Sequence, residues 1–342
     1  MKAKRGDDLF FSMTYEFLEV FLPSQTGNSQ LTVKSYRDAL TLFRRYVSQE
    51  LGISIGRFGF RHCDRDCVLR FMRYLEQRGN VASTRNHRLA VLKSYLWFAA
   101  DKEVSLESIA LSVGKIPQCK SPEPERDVLS EEGMATILSQ PPGTRLGVRN
   151  QTIMVLLYDS AVRLAEALAL KIGDISLESE APYIRILGKG GKERIVSLSD
   201  LTVAHIKRYI ALIRNFDMPD TDLLFYTVIR GKAGMMSEGN VERFIQQYAD
   251  SARESCSDIP KRVYPHMFRR TRATHLYQDG VEMQLLSRIM GHSEVSTTMM
   301  YAKPSIRMMR EAMEIPVNNY ACKEIPEWLN AEAEIAIKFG LR

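Results

Sequence analysis

The chain has 342 residues, a formal net charge of +6, 45% hydrophobic residues and 26% charged ones. That length exceeds one ordinary core and fits two domains, and the composition excludes a wholly disordered chain. No stretch approaches the roughly 18–20 uncharged apolar residues of a membrane span. The opening MKAKRGDD runs into an amphipathic segment, so no secretory signal is expected. Five scattered cysteines (Cys63, Cys67, Cys119, Cys256, Cys322) read as reduced thiols of a cytoplasmic protein. Charge is uneven: the net is +6 over residues 1–118, +4 over 129–310 and −3 over 311–342. Two basic blocks suit a polyanionic partner, and they equally suit plain solubility.

Helical spacing dominates the first block. Leu9, Phe10, Met13, Phe17, Leu18 and Phe21 predict a helix over 8–22, stopped by Pro23. After the turn-rich QTGNSQ, a second helix turns Val33, Tyr36, Leu40, Phe43 and Val47 inward and Lys34, Arg37, Arg44 and Arg45 outward. A third begins near Asp64 and ends at Gly79, and a fourth spans 83–100. The fourth opens on STRNHR, which presents Arg85, Asn86 and Arg88, with Lys93 further along. These four are candidate nucleic-acid contacts, although a basic helix face is as often simply solvated. No strand signal precedes residue 118.

The stretch CKSPEPERD has two prolines and no apolar periodicity, so it predicts a linker over 119–128. Ser130, followed by Glu131 and Glu132, is a helix start with acidic residues at the positive end of the dipole. The second block is mostly helical. Its one clear β element is Tyr183–Leu187 and Ile195–Leu198 around the turn GKGGKER. The expected fold is therefore mainly α: an N-terminal helical bundle over 1–118, then an α-rich domain over 129–320 with a small antiparallel β-sheet. A tail helix is expected over 321–342, carrying Trp328, Leu329, Ile335, Ile337 and Phe339.

Four places in the second block carry polar groups the fold does not need. In LLYDSAVRLAEALAL, Glu166 lies three residues after Arg163 on one helix face, where it can orient the guanidinium. The same pair also reads as an ordinary surface ion pair. GKGGKER carries Lys189 at its tip, flanked by Lys192 and Arg194, three cations of the kind that any turn leaves solvated. In PHMFRRTRATHL, His266 and Arg269 project together from a helix start, a natural grip for a phosphate. A metal site fails there, because no HExxH spacing or acidic partner accompanies His266 and His275 lies nine residues on. Last, MGHSEVSTTMMYAKP places His292 after Gly291 and Tyr301 at the far end of the next helix, where a tyrosine is ordinarily half-buried core.

Taken together, Arg163, Lys189, His266, Arg269, His292 and Tyr301 match what a pentavalent phosphate needs. Guanidinium groups neutralise the non-bridging oxygens, a histidine handles the nucleophile's proton and a lysine protonates the leaving oxygen. A phenol can then be the covalent nucleophile.

AVRLAEALAL, GKGGKERIVSL, HMFRRTRATHL and GHSEVSTTMMY resemble, in order and spacing, the four signatures of the tyrosine recombinases (the phage integrase family). The first block resembles that family's core-binding domain, so the likeness covers nearly the whole chain. Two departures stand out: Val162 precedes the first arginine where a smaller residue is common, and Arg270 follows the second where histidine is common.

The resemblance implies a two-domain clamp on duplex DNA. Tyr301 would attack a phosphodiester to give a 3′-phosphotyrosine. Arg163, Arg269 and His292 would hold the phosphate, His266 would accept the phenol proton and Lys189 would protonate the 5′-oxygen. Glu166 would support the cluster. Arg85, Asn86, Arg88, Lys93, Lys192 and Arg194 would contact DNA. No cofactor and no metal would be required. The tail would dock on a neighbouring protomer to build a homotetramer on two duplexes. Within the family the expected role is integration or excision of a mobile element, with a Xer-like chromosome or plasmid dimer resolvase as the alternative. A type IB topoisomerase or a silent DNA-binding regulator is a further alternative, which the tail and the complete set of six argue against.

Overall fold

The computed structural model describes residues 9–26, 29–120, 127–188, 193–213, 219–291, 294–301, 304, 306–314 and 336–340. The chain divides into two compact units, Met1–Glu125 and Arg126–Arg342. No helix among the described residues is long and apolar enough to cross a membrane. Much of the expected linker, and the expected tail helix apart from 336–340, lie outside the described residues.

The first unit is helical and packs on one aromatic core. A short α1 (Thr14–Glu16) passes into a π-helical segment, Phe17–Gln25, that carries Pro23 within it. The expected stop at Pro23 is therefore corrected. Wider i→i+5 turns set Phe17 and Leu22 on the buried side. Phe17 also stacks on Phe21 with ring centroids 5.8 Å apart. Then come α2 (Gln30–Gln49), capped by Ser29, and α3 (Arg65–Gln77), capped by Asp64, whose Oδ1 accepts from Cys67 N at 2.8 Å. The long α4 (Ala82–Lys102) buries Leu89, Leu92, Tyr95, Leu96 and Phe98. A fifth helix, α5 (Glu107–Gly114), adds to the four expected. It is a two-turn element whose Ala110 and Val113 close the core beside α4.

The second unit opens with α6 (Glu131–Ser139), where Ser130 Oγ accepts from Gly133 N at 2.9 Å, as the sequence predicts. The central α7 (Arg145–Asp159) is buried along most of its length. It is followed by α8 (Leu164–Ala169) and an antiparallel three-stranded sheet in the order β1 (Ile175–Ser176), β2 (Tyr183–Leu187), β3 (Glu193–Ser197). The register pairs Ile184 with Val196 and Ile186 with Arg194, so these four side chains share the inward face.

After α9 (Asp200–Ile213) comes a second hairpin beyond the one expected, β4 (Tyr226–Ile229) and β5 (Lys232–Met235). It turns through Arg230 and Gly231, both at positive φ, as a two-residue hairpin loop requires. The remaining elements are α10 (Glu238–Ala252), α11 (Pro265–Gln278), α12 (Met283–Met290), α13 (Ser296–Met299) and α14 (Ile306–Glu314). Helices α7 and α11 form the spine on which the site is built.

Candidate functional site

The site begins where α7 ends. Ala161 is fully buried and held at φ 50°, a left-handed conformation uncommon for a residue with a Cβ. That turn sets Arg163 at the N-cap of α8. Glu166, three residues into the helix, reaches back so that its Oε2 accepts from Arg163 N and its Oε1 from Arg163 Nη1, both at 2.9 Å. Two further bonds arrive from β3: Arg194 Nη1 donates to Oε1 at 3.1 Å and Nη2 to Oε2 at 2.7 Å. All four acceptor positions of the carboxylate are thereby used. Burial pushes the Glu166 carboxyl up, but the bonds from Arg194 and Arg163 and the Arg194 charge override it and hold the group down to about 2. Glu166 is therefore a fixed anion that orients Arg163, whose own side chain is 46% exposed.

On α11, Pro265 occupies the first turn and His266 is exposed. One turn on, Arg269 is 1% exposed. Its two terminal nitrogens donate to the carbonyl oxygens of Ala161 and Met290, which ties α11 to the α7–α8 turn and to the end of α12. Burial, followed by the nearby Arg163 charge, lowers Arg269 to about 10, while Tyr301 and Glu166 act in the opposite direction. Arg163, Arg269, Glu166, Arg194 and Tyr301 thus form one electrostatic cluster. Tyr301 itself is 2% exposed and packs with Ala161, Ala273, Leu286 and Met290.

The opposite side of α11 grips the chain entering this unit. Thr271 Oγ1 accepts from Leu129 N at 3.1 Å, and His275 Nε2 lies 3.0 Å from Leu129 O. A carbonyl only accepts, so His275 carries its proton on Nε2, and Nδ1 accepts from Tyr158 Oη at 2.9 Å. Arg270, one of the two departures from the resemblance, donates to Asp127 O at 3.2 Å and to Tyr264 Oη at 3.1 Å. Arg272 reaches Asp159, whose carboxylate also accepts from Ser199, just ahead of α9, and from Thr202 in its first turn. His275 is a structural histidine.

Of the six candidate catalytic residues, Lys189 and His292 lie outside the described residues, as does Lys192. Among the described ones, Arg163, Arg269 and Tyr301 are brought together and His266 stands at the exposed start of the same helix. The candidate DNA contacts of α4 are engaged within the fold. Asn86 donates to Cys119 O at 2.9 Å and accepts from Cys119 N at 2.8 Å, so it pins the chain leaving α5. Lys93 Nζ donates to Gly114 O at 2.8 Å and Ile116 O at 2.6 Å, capping α5. Arg85 pairs with Glu76 at 2.7 Å, and Arg88 Nη1 donates to Asn80 Oδ1 at 2.5 Å.

Arg194, also expected on DNA, points instead into the site. Strand parity with Val196 is the sequence signal for that inward direction. Among the described residues, no group of three or more His, Cys, Asp or Glu side chains is gathered that could hold a metal ion.

Comparison with known proteins gives a consistent result. The Phage integrase family pattern matches residues 127–308, and the Phage integrase, N-terminal SAM-like domain pattern matches residues 16–103. A protein named tyrosine recombinase XerD from Staphylococcus haemolyticus is 27% identical over 299 residues, covering 86% of this chain and 95% of that one. Another of that name from Oceanobacillus iheyensis is 24% identical over 284 residues, covering 82% of this chain and 90% of its own length. Among solved structures, XerH site-specific recombinase bound to difH DNA in a post-cleavage complex superposes with a TM-score of 0.66 at 20% identity, covering 87% of this chain and 83% of that one. A Tn1549 transposon integrase in complex with circular-intermediate DNA does so with a TM-score of 0.66 at 18% identity, covering 87% and 98%. A lambda integrase tetramer bound to a Holliday junction gives 0.63 at 14%, covering 85% and 76%.

Proposed function

The chain belongs to the phage integrase family of tyrosine recombinases, which are DNA strand transferases, and from that premise we propose that it cuts and rejoins DNA at a specific site through Tyr301. The observation that supports this most is the joint placement of Arg163, Arg269 and Tyr301 in one cluster, with both arginines fixed by bonds unrelated to surface solubility.

In the proposed reaction the Tyr301 phenol oxygen forms a bond to a backbone phosphorus and the bond from phosphorus to the 5′-oxygen breaks. The phenol proton passes to His266, and Lys189 supplies a proton to the departing 5′-oxygen. Arg163 and Arg269, with His292, neutralise the charge that builds on the non-bridging oxygens. The phosphotyrosine conserves the bond energy, so the reverse attack by a 5′-hydroxyl religates the strand. Tyr301 is sealed against Leu286 and Met290.

Strand exchange through a Holliday junction by four protomers on two duplexes completes the proposal; the lambda integrase tetramer bound to a Holliday junction supports that assembly. For the biological setting, integration or excision of a mobile element is our first reading. Resolution of chromosome or plasmid dimers is the second, and the relatives named XerD favour it comparably.

The test is covalent trapping on a nicked suicide duplex carrying a site selected from genomic fragments by the protein itself. An SDS-resistant adduct that vanishes in Tyr301→Phe is expected. An adduct that survives the substitution moves the nucleophile elsewhere. No adduct on a DNA that the protein binds favours a non-cleaving regulator.

A further inference from the structure

Among the described residues of the β2–β3 hairpin, Arg194 is the basic side chain that lies on the inward face. Its position is set by pleat parity: Val196, two residues on, is buried, and Arg194 pairs with the buried Ile186 across the strand. Its side chain is 16% exposed, whereas Ile195 between the two is largely exposed. A cation is turned in and an isoleucine turned out, which is the reverse of what transfer energies favour and calls for a compensating interaction.

The compensation comes from two sides. The two terminal nitrogens of Arg194 grip Glu166 as a fork. The rest of the guanidinium lies on Gly291, the left-handed C-cap of α12 at φ 63°. A Cβ built on Gly291 would lie 2.7 Å from Arg194 Nε, 2.8 Å from Cζ and 2.9 Å from Cδ, so a side chain there displaces the arginine. Nε is buried with no hydrogen-bond partner among the described residues. Glu166 alone would be a flexible carboxylate on the first turn of a six-residue helix, and Arg163 is half-exposed. Of these three residues only Arg194 comes from a strand, and it connects β3, α8 and the end of α12 through one planar group.

Building on the cleavage reaction proposed above, we propose that Arg194 is a positioning residue. It fixes Glu166, and through it Arg163, and it seats the end of α12 from which the chain continues to His292. It does not contact DNA.

The experiment measures single-turnover adduct formation at saturating suicide duplex, together with DNA affinity across a salt series. The variants are Arg194→Met, Arg194→Lys, Glu166→Gln, Gly291→Ala and the doubles with Arg194→Met. Loss of orientation predicts that Arg194→Met cleaves about 10- to 100-fold more slowly at saturation. Affinity and the slope of log K against log salt stay unchanged. Arg194→Lys recovers part of the rate, because one donor to Glu166 returns. The doubles with Glu166→Gln and with Gly291→Ala are no slower than the slower single variant, since all three disrupt the same contact.

A salt slope shallower by about one unit would assign Arg194 to a DNA phosphate and overturn the proposal. So would an unchanged rate, or rate losses that multiply in the doubles. If Arg194→Met does not fold, Arg194→Lys and Gly291→Ala carry the same comparison. Absence of an adduct with the wild-type chain on DNA it binds would instead remove the strand-cleavage reading. Where the wild type does form the adduct, variant rates, couplings or salt slopes that depart from these expectations count against the Arg194 role alone.

Discussion

The Arg269 guanidinium donates to the carbonyl oxygen of Ala161, and Ala161 is a buried residue held in left-handed backbone at φ 50°. The relationship is mutual. The left-handed turn aims that carbonyl at α11, and the carbonyl holds one end of the guanidinium in an enclosed site. Strain is thus concentrated at the residue that positions a candidate phosphate ligand.

Side-chain size at 161 should accordingly run against hydrophobicity. Ala161→Gly removes about 1–2 kcal/mol of left-handed strain, but it loses a buried methyl and gains unfolded-state entropy, so its stability stays within about 0.5 kcal/mol of wild type. Ala161→Val adds apolar area yet destabilises by more than about 2 kcal/mol, since a β-branched residue resists positive φ and overfills the cluster. Urea midpoints at constant m-value give the ranking, and a stable valine variant would show that the turn is not strained.

Arg269→Lys preserves the charge and should still fail. The guanidinium reaches the Ala161 and Met290 carbonyl oxygens with two separate, rigidly spaced nitrogens, and an ammonium that keeps only one of these bonds leaves a buried acceptor unsatisfied at a cost of about 1–3 kcal/mol. Adduct formation is expected to fall by at least about 10²-fold, because the guanidinium that the two carbonyl groups hold in place for the phosphate is lost as well. Wild-type rates in the lysine variant would refute the bidentate role.

Acid stability tests the Glu166 hub. Its carboxyl sits near 2 in the fold against an ordinary 4.5, so the stabilisation is full above about pH 4.5 and is lost as pH falls toward 2. At neutral pH Glu166→Gln should cost about 2–3 kcal/mol. That gap should close across the same window. A gap independent of pH would mean that the carboxylate is not held as an anion.

In the first unit, Asn86→Ala and Lys93→Met are expected to lower thermal stability by about 1–2 kcal/mol each, because backbone groups of Cys119, Gly114 and Ile116 lose their partners. Neither should alter the salt slope of DNA binding. A slope reduced by about one unit in Lys93→Met would restore that lysine to the DNA surface.

Much of this protein was determined by the sequence alone, wherever the governing interaction is local. Helical phase located α2, α3 and α4, and Asp64 and Ser130 marked helix starts through caps that form within three residues. The four motif segments carried the family assignment because side-chain type and spacing are written directly in the chain. The same holds for the Arg163–Glu166 pair, one helical turn apart.

Only the tertiary structure decided what depended on distant partners. Pro23 continues a π-helical segment because Phe17 and Leu22 meet an aromatic core assembled from other helices. Lys93 binds the carbonyl groups that end α5, and Asn86 binds Cys119 in the chain beyond it. Arg194, by sequence one more cation of a basic turn, is drawn inward by a carboxylate 28 residues away in sequence. Arg269 and Tyr301 are enclosed because α7, α11 and α12 converge on them. A charged side chain's free energy is set by what desolvates and pairs it, and those groups come from elsewhere in the chain.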